Sequence, residues 1–371
     1  MRKTILTLTL AALLLAGCAE VPENVKKESS AVESSGESSA AFDGSGLYGL
    51  DLSKYAHISP AEDMLIIESE VEKLCRFDLT YPVKDYSTYR EELAAAFLGD
   101  DCDPSYWSSV SDGLGETWRY TDPNSKADLV CGDSGNFGYT PDAENSWIIS
   151  KSGRIPVDPD KPDRTFRLLD GSEITLEKAA QAAVEGFDKL DKAIGREPSQ
   201  LNGITYDDEN GLLIFDFLPR CFGLRLSIHS LDFEREEDSF SGSDLLKNAM
   251  GFSRRTAVVY GEGGRCEISE YIGEVEPAAV TEEYDKALTL SEALEHFDSS
   301  CAPNVSYELI SAELKYIIAA DDITGAGAIR TYGVPAWELI LFNKTQQRRY
   351  LCAIDAQTGE ISLAKMKENV L

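Results

Sequence analysis

The chain has 371 residues, with 65 Asp and Glu against 35 Lys and Arg, and so a formal net charge of −30. At 43% hydrophobic residues it has the apolar material for a folded body of two or three domains, which excludes disorder throughout. The acidic surplus argues against nucleic acid and anionic lipid head groups as partners, and only 3 His leave little from which to build zinc-hydrolase or Ser-His-Asp sites.

In chain order, Arg2 and Lys3 precede an apolar run from Ile5 to Leu15. A run this short does not span a bilayer, which takes ~20 residues, so residues 1–17 read as a cleaved signal peptide. The run ends in Leu15-Ala16-Gly17-Cys18, which resembles the bacterial lipobox at every position. Ala16 and Gly17 admit a peptidase to the backbone, and Cys18 offers a thiol for diacylglyceryl transfer. The resemblance implies a lipoprotein held at the cell membrane by a lipidated Cys18 and facing away from the cytoplasm. Two acyl chains suffice for stable anchoring. Residues 18–46, with seven Ser and five Glu, bury too little surface to offset their ordering entropy and read as a flexible tether. Its reach is ~30 Å by the square-root rule for flexible linkers.

Residues 47–165 read as an N-terminal α+β module. Thr88 to Leu98 has helical spacing, with Thr88 and Glu91 placed as a capping box, Leu93 and Phe97 on one face, and Gly99 as the stop. Met64 to Val83 fits either a helix through Met64, Ile67 and Val71 or a strand through Cys75, Phe77 and Leu79. Glu116 to Tyr120 and Leu129 to Tyr139 read as strands around the turn Asp122-Pro123-Asn124. In residues 166–280, Thr175 is placed to cap a helix whose stripe runs Leu176, Ala180, Ala183, Phe187, Leu190 and Ile194 and stops at Gly195. Strands follow at 204–206, 212–218 and 223–228. Residues 281–371 repeat the plan at an offset of 114: a capping box of Thr289 and Glu292, a stripe of Leu290, Leu294 and Phe297, then a meander of strands closing on the hairpin Asp355 to Glu360. The expected fold class is α+β, as tandem modules of a helix packed on an antiparallel sheet.

Three fragments of the last unit carry a family resemblance: Leu314-Lys315-Tyr316-Ile317, Val334-Pro335-Ala336-Trp337-Glu338-Leu339 and Ile354-Asp355-Ala356-Gln357-Thr358-Gly359-Glu360-Ile361. They resemble the PepSY-like domains of extracytoplasmic proteins in Gram-positive bacteria, including the YycH and YycI regulators of a sensor histidine kinase. The resemblance implies an interaction or regulatory module and supplies no catalytic residues. It departs from that group in having a lipid and tether where those regulators have an N-terminal transmembrane helix, which puts kinase control in doubt. The residues themselves read as structural: Asp355 accepting turn amides, Gly359 supplying a positive φ, Pro335 starting a strand and Trp337 facing the core.

Chemistry-bearing groups are sparse. Cys75, Cys102, Cys131, Cys221, Cys266, Cys301 and Cys352 form no metal-ligand spacing, and outside the cytoplasm one or two disulfides are open to them. Asp122 to Asp128 begins like a calcium loop but puts Lys126 where an oxygen ligand belongs. The acid groups Asp100-Asp101-Asp103, Asp207-Asp208-Glu209 and Asp321-Asp322 sit beside turns, which favour Asp on their own account. Gly261 to Gly264 lacks the phosphate-loop register and reads as a hairpin turn. One local inversion of charge, Lys344, Arg348 and Arg349 near Trp337 and Phe342, is a candidate partner-binding lip.

These readings point to a membrane-anchored, non-enzymatic module for a protein or peptide partner, with no metal and no cofactor. An envelope lipoprotein that takes a small solute between modules is the alternative, and a secreted hydrolase a third. Lipidation has a direct test. Incorporation of a metabolic palmitate label is expected in the native protein and lost in Cys18→Ala; equal labelling of both refutes the anchor.

Overall fold

A computed structural model describes residues 46–99, 102–112, 115–142, 154–227, 240–249, 254–271, 275–322 and 329–367. The lipobox residues Leu15, Ala16, Gly17 and Cys18, and the tether, lie outside the described residues. Period-two alternation dominates what is described. The N-terminal stretch forms β1 (Ile58–Ile67), β2 (Cys75–Thr80), α1 (Arg90–Leu98), β3 (Trp107–Asp112), β4 (Gly115–Thr121), β5 (Asp128–Gly132) and β6 (Phe137–Thr140). Next come β7 (Ile155–Pro156), β8 (Thr165–Arg167), β9 (Glu173–Thr175), α2 (Leu176–Ala193), β10 (Gly203–Asp207), β11 (Leu212–Asp216), β12 (Phe240–Gly242), β13 (Arg254–Gly261), β14 (Arg265–Tyr271) and β15 (Glu276–Glu283). The chain closes with α3 (Leu290–Ser300), β16 (Tyr307–Asp322), β17 (Ile329–Asn343), β18 (Arg348–Asp355) and β19 (Ile361–Lys365). The result is a mixed α+β fold with large, mostly antiparallel sheets and few helices.

Strand pairing departs from chain order. One eight-stranded sheet runs β1-β16-β17-β18-β19-β12, with β2 also on β17 and β15 on β2; a nine-stranded sheet runs β3-β4-β5-β6-β14-β13-β11-β10-β7. The expected N-terminal module over 47–165 therefore forms no sheet of its own. β1 and β2 complete the sheet of the C-terminal strands, β1 lying parallel to β16, whereas β3 to β6 extend the sheet of the middle strands through the β6–β14 pair. The ambiguity over Met64 to Val83 resolves as strand, because Phe77 and Cys75 are fully buried against the C-terminal sheet.

Both amphipathic helices bury their stripes. In α2, Thr175 accepts from the Lys178 amide, and Ala179, Ala183, Phe187 and Leu190 are fully buried in one core with Leu213, Phe215, Ala257 and Val259 of the nine-stranded sheet. In α3 the capping box forms as read, with Thr289 accepting from the Glu292 amide and Glu292 accepting from the Thr289 amide, and Leu290, Leu294 and Phe297 enter the core of the eight-stranded sheet. At α1 the expected capping box does not form: Asp85 caps a short 3₁₀ turn ahead of the helix, and the Thr88 hydroxyl donates to the Asp85 carbonyl at 2.8 Å. Pro335 is not a strand start either. It lies inside β17, where its carbonyl accepts from Ala356 at 3.0 Å, so its nitrogen faces the step between β2 and β18 and no ladder donor is lost.

The terminal hairpin is locked to α3. Asp355 accepts from the Gln357 and Thr358 amides, both at 2.8 Å, and Gly359 sits at φ +76° with room taken by the His296 ring, which would lie 2.7 Å from an added Cβ. Gly359→Ala is expected to cost about 1–3 kcal/mol in denaturant unfolding, through backbone strain and the clash together. A His296→Ala background should recover only the steric part. Equal cost in both backgrounds would remove the ring from the account.

Candidate functional site

Where the two sheets meet, five ionisable side chains leave water together: Asp216, Arg225, Glu313, Lys315 and Glu338, each no more than 9% exposed. Strand alternation places them. Leu314 and Tyr316 of β16 and Trp337 and Leu339 of β17 point to the α3 side, so Glu313, Lys315 and Glu338 point to the opposite face. Segment 224–227 lies parallel to β16 through the Leu226–Tyr316 bridge and alternates likewise, sending Arg225 and Ser227 inward from Leu224 and Leu226. Arg225 forms a two-pronged pair with Glu313, and its Nη1 donates to the Asn202 carbonyl at 2.9 Å, tying β16 to the loop before β10. Lys315 Nζ lies 2.6 Å from Glu338 and 3.1 Å from Glu313, and Ser227 donates to Glu338. Gly203 leaves space for this pair, because a Cβ there would lie 2.1 Å from Arg225 Nη1.

Two cations balance two of the three carboxylates. The third, Asp216 at the end of β11, takes a hydrogen bond from the Leu218 amide at 2.8 Å. Burial pushes its pKa up to about 6, against smaller lowering from that amide, Arg225 and Lys315.

Beside this seam opens a recess of about 500 Å³ between the loop after α2 (Arg196 to Asn202), Phe217 to Arg220 beyond β11, Arg255 of β13, and Val275 and Glu276 at the start of β15. Its floor is a second buried ion network. Arg196 donates to both Glu270 oxygens at 3.0 and 2.9 Å and to Asp191 at 2.6 Å; Arg255 lies 3.3 Å from Glu270 and donates to Ser199. Burial works to raise the Glu270 pKa, yet the Arg196 hydrogen bonds and the two guanidinium charges hold it below the usual carboxylate range. Phe217 stacks on Phe187 of α2 at 4.1 Å beneath the same floor. Arg220 stands at the mouth, bonded to Asn202 Oδ1 and the Gly223 carbonyl. Such a site can hold a ligand by shape and hydrogen bonding. Its inner carboxylates are already committed to arginines, which leaves them poorly placed for proton transfer.

The candidate lip is not assembled. Trp337 is fully buried, donates from Nε1 to the Leu288 carbonyl at 2.8 Å, and lies on the opposite face of β17 from Phe342. Alternation also separates Arg348 from Arg349. Lys344 pairs with Glu308 at 2.9 Å, and Arg348 Nη2 reaches the Met366 carbonyl. Arg349 makes a two-pronged contact with Asp208 at 2.9 and 2.7 Å, so a basic residue read as a partner contact instead docks the β10–β11 turn of its own chain. The other flagged acids serve turns: Asp207 accepts from Asn210, Asp122 from Asn124 and Ser125, and Asp103 from Ser105, while Asp321 accepts from Tyr332. Asp100, Asp101 and His229 lie outside the described residues, as does the side chain of Asp322. Among the described residues no group of three or more His, Cys, Asp or Glu is placed to hold a metal, and no helix is long and apolar enough to cross a membrane. The seven cysteines after Cys18 are reduced thiols, and burial pushes those of Cys131 and Cys221 up to about 12, which keeps them protonated and unreactive. Sequence reading missed the seam and the recess, since their members are single residues far apart in the chain.

Neither a protein-family model nor a curated protein matches the sequence. Among solved structures, the chain is similar to an uncharacterised protein from Eubacterium rectale, at 13% identity and a TM-score of 0.50, over 81% of this chain and 91% of that one. This is a likeness of fold. The C-terminal domain of Bacillus megaterium YpeB aligns at 13% identity and a TM-score of 0.36, over 77% of this chain and 99% of that domain.

The raised Asp216 pKa has a signed consequence. The unfolded carboxyl titrates near 3.8 and the folded one near 6, so the proton held by the folded state stabilises fully below about pH 4 and is lost as pH rises through 6. Asp216→Asn, which keeps an acceptor for Leu218, is expected to be more stable than the native protein by on the order of 2–3 kcal/mol at pH 7.5 and to show little difference at pH 4. Denaturant midpoints across that range check it; a pH-independent difference would mean that Asp216 is not protonated in the fold.

Proposed function

We propose that the chain is a membrane-tethered extracytoplasmic binding module that acts without covalent chemistry and receives a protein or peptide partner at the recess beside β11, β13 and β15. The observation that carries this reading is the recess itself: about 500 Å³ of open space on a floor whose charges are already neutralised, so it is pre-formed rather than assembled around a reacting group. The lipobox supplies the placement through diacylglyceryl-Cys18, and the PepSY-like fragments supply the finer architecture, two helix-and-sheet modules of common plan. In that plan α2 and α3 are equivalent helices, and Lys315 and Glu338 belong to the fragments that carry the resemblance. A secreted hydrolase finds less support, because each acid group flagged in the sequence and described in the structure has a turn, a tyrosine or an arginine as its partner.

A second reading, capture of a small solute, is favoured by the volume of the recess, which falls in the range typical of small-molecule sites.

The two readings separate in one experiment. A photo-crosslinking residue at Glu197, exposed on the rim, is expected to give a discrete protein adduct in intact cells, and Gln200→Trp, which fills the recess from another exposed rim position, should abolish it. An adduct that Gln200→Trp leaves unchanged, or none at all, refutes partner binding at this recess. Native mass spectrometry showing a bound small mass that Gln200→Trp removes would select the solute instead.

A further inference from the structure

Sheet edges present unpaired backbone groups, and proteins guard them with proline, charge, bulges or brevity. A separate pair, β8 and β9, has three residues a strand, and among the described residues the edges of the two large sheets are β1, β12 and β15 in one and β3 and β7 in the other. Four of the five are guarded. β1 contains Pro60, Glu62 and Asp63 and shifts register between Pro60 and Leu65. β15 contains Pro277, three glutamates and two register shifts. β12 has three residues, and β7 has two, one of them Pro156.

β3 lacks these devices apart from one terminal charge. Its six residues, Trp-Ser-Ser-Val-Ser-Asp, pair with β4 in unbroken register, contain neither Pro nor Lys, and carry one charge, at the last position. Ser108 to Ser111 are exposed, and Val110, at 65%, is the most exposed large hydrophobic side chain among the described residues, with Tyr106 beside the strand at 45%. The direction of the free backbone groups follows from one bond. Asp133 N donates to the Glu116 carbonyl at 3.1 Å, so Glu116 faces β5 and its neighbours Thr117 and Arg119 face β3. Their register partners Val110 and Ser108 thus bond to β4, which leaves the amides and carbonyls of Ser109 and Ser111 directed off the edge of the sheet, together with the carbonyl of Trp107, whose amide donates to the Pro104 carbonyl.

We propose that β3 is a strand-addition site for an extended segment of a partner protein, in which small and apolar residues alternate between flanking Lys or Arg. The main chain supplies the hydrogen bonds, and Val110 and Tyr106 supply apolar area for alternate side chains. Charge selects the flanks. Glu116 of β4 lies beside the edge, Arg119 is already paired with Asp128 at 2.8 Å, and the whole chain carries −30. The same charge repels a second copy of the chain, which would otherwise be the simplest strand to add. The inference rests on the reading of the chain as a binding module but uses a surface separate from the recess.

The test is selection of a displayed heptapeptide library on the mature chain, followed by fluorescence polarisation with the synthetic winners. Alternating peptides with basic flanks are expected, weakened about tenfold or more by Ser109→Pro, which removes an outward donor without costing a β3–β4 bond, and unaffected by Gln200→Trp in the recess. Hydrogen exchange on the unmutated protein gives an independent readout: the Ser109 and Ser111 amides should exchange rapidly alone and become protected with peptide. The proposal is overturned by a library that yields no such peptide, by binding that Ser109→Pro leaves intact, or by protection of those amides without peptide. Concentration-dependent self-association that Ser109→Pro abolishes would assign the edge to a second copy and overturn it equally. Loss of the Glu197 crosslink with β3 binding retained would defeat the recess alone.

Discussion

Glu313 on β16 stands directly across from Glu338 on β17, an arrangement of like charges that by itself would push neighbouring strands apart. It is tolerable because Lys315 sits between the two carboxylates, Arg225 grips Glu313 from an adjoining segment, and Ser227 donates to Glu338. The group is buried, so each member depends on the others: removal of one partner from such a set typically costs about 3–5 kcal/mol, since it strands a charge away from water. Arg225 also holds the carbonyl of Asn202, and Asn202 in turn bonds Leu218 and Arg220. The packing of one sheet on the other, and the shape of the recess beside them, both trace back to these contacts.

An ion network at a sheet junction does something that apolar packing does not. Leu and Ile contacts tolerate sliding by a fraction of a residue, whereas a two-pronged guanidinium–carboxylate pair has one geometry. The Arg349–Asp208 pair adds a second fixed point between β18 and the β10–β11 turn. With two such points the sheets are held in one orientation, which suits a pre-formed binding surface better than a hinge. Stability is conceded at Asp216, whose carboxyl has no cation of its own within the seam.

The distribution of charge fits the same picture. Acids guard the edges of β1 and β15, while four arginines, Arg196, Arg255, Arg225 and Arg349, are committed to Glu270, Glu313 and Asp208. Resistance to self-pairing follows from this. What stays bare among the described residues is local: the mouth of the recess near Arg220, and the edge at β3.

The local structure was largely legible from sequence. Helices α2 and α3 declare themselves by stripe and cap, and the caps of both form on the residues read for them, because a helix stripe and its N-cap are set within a few turns of chain. The turn at Asp355 to Gly359 is likewise a short-range matter. The Thr88 cap failed for a reason equally local, since Asp85 offers a better acceptor three residues earlier. Sheet membership was not legible: nothing in Ile58 to Thr80 says that β1 and β2 will pair with strands more than 200 residues away rather than with β3 to β6, because pairing depends on which edges are left open once the rest has folded. For the same reason Arg349 looked like a surface cation until its partner Asp208 came within reach from the other sheet. By itself the sequence determined helix positions and turn chemistry, both of which act over a few residues. Only the tertiary structure decided which charges would be buried together and which backbone edge would remain unpaired, since both are set by long-range contacts that the local pattern does not encode.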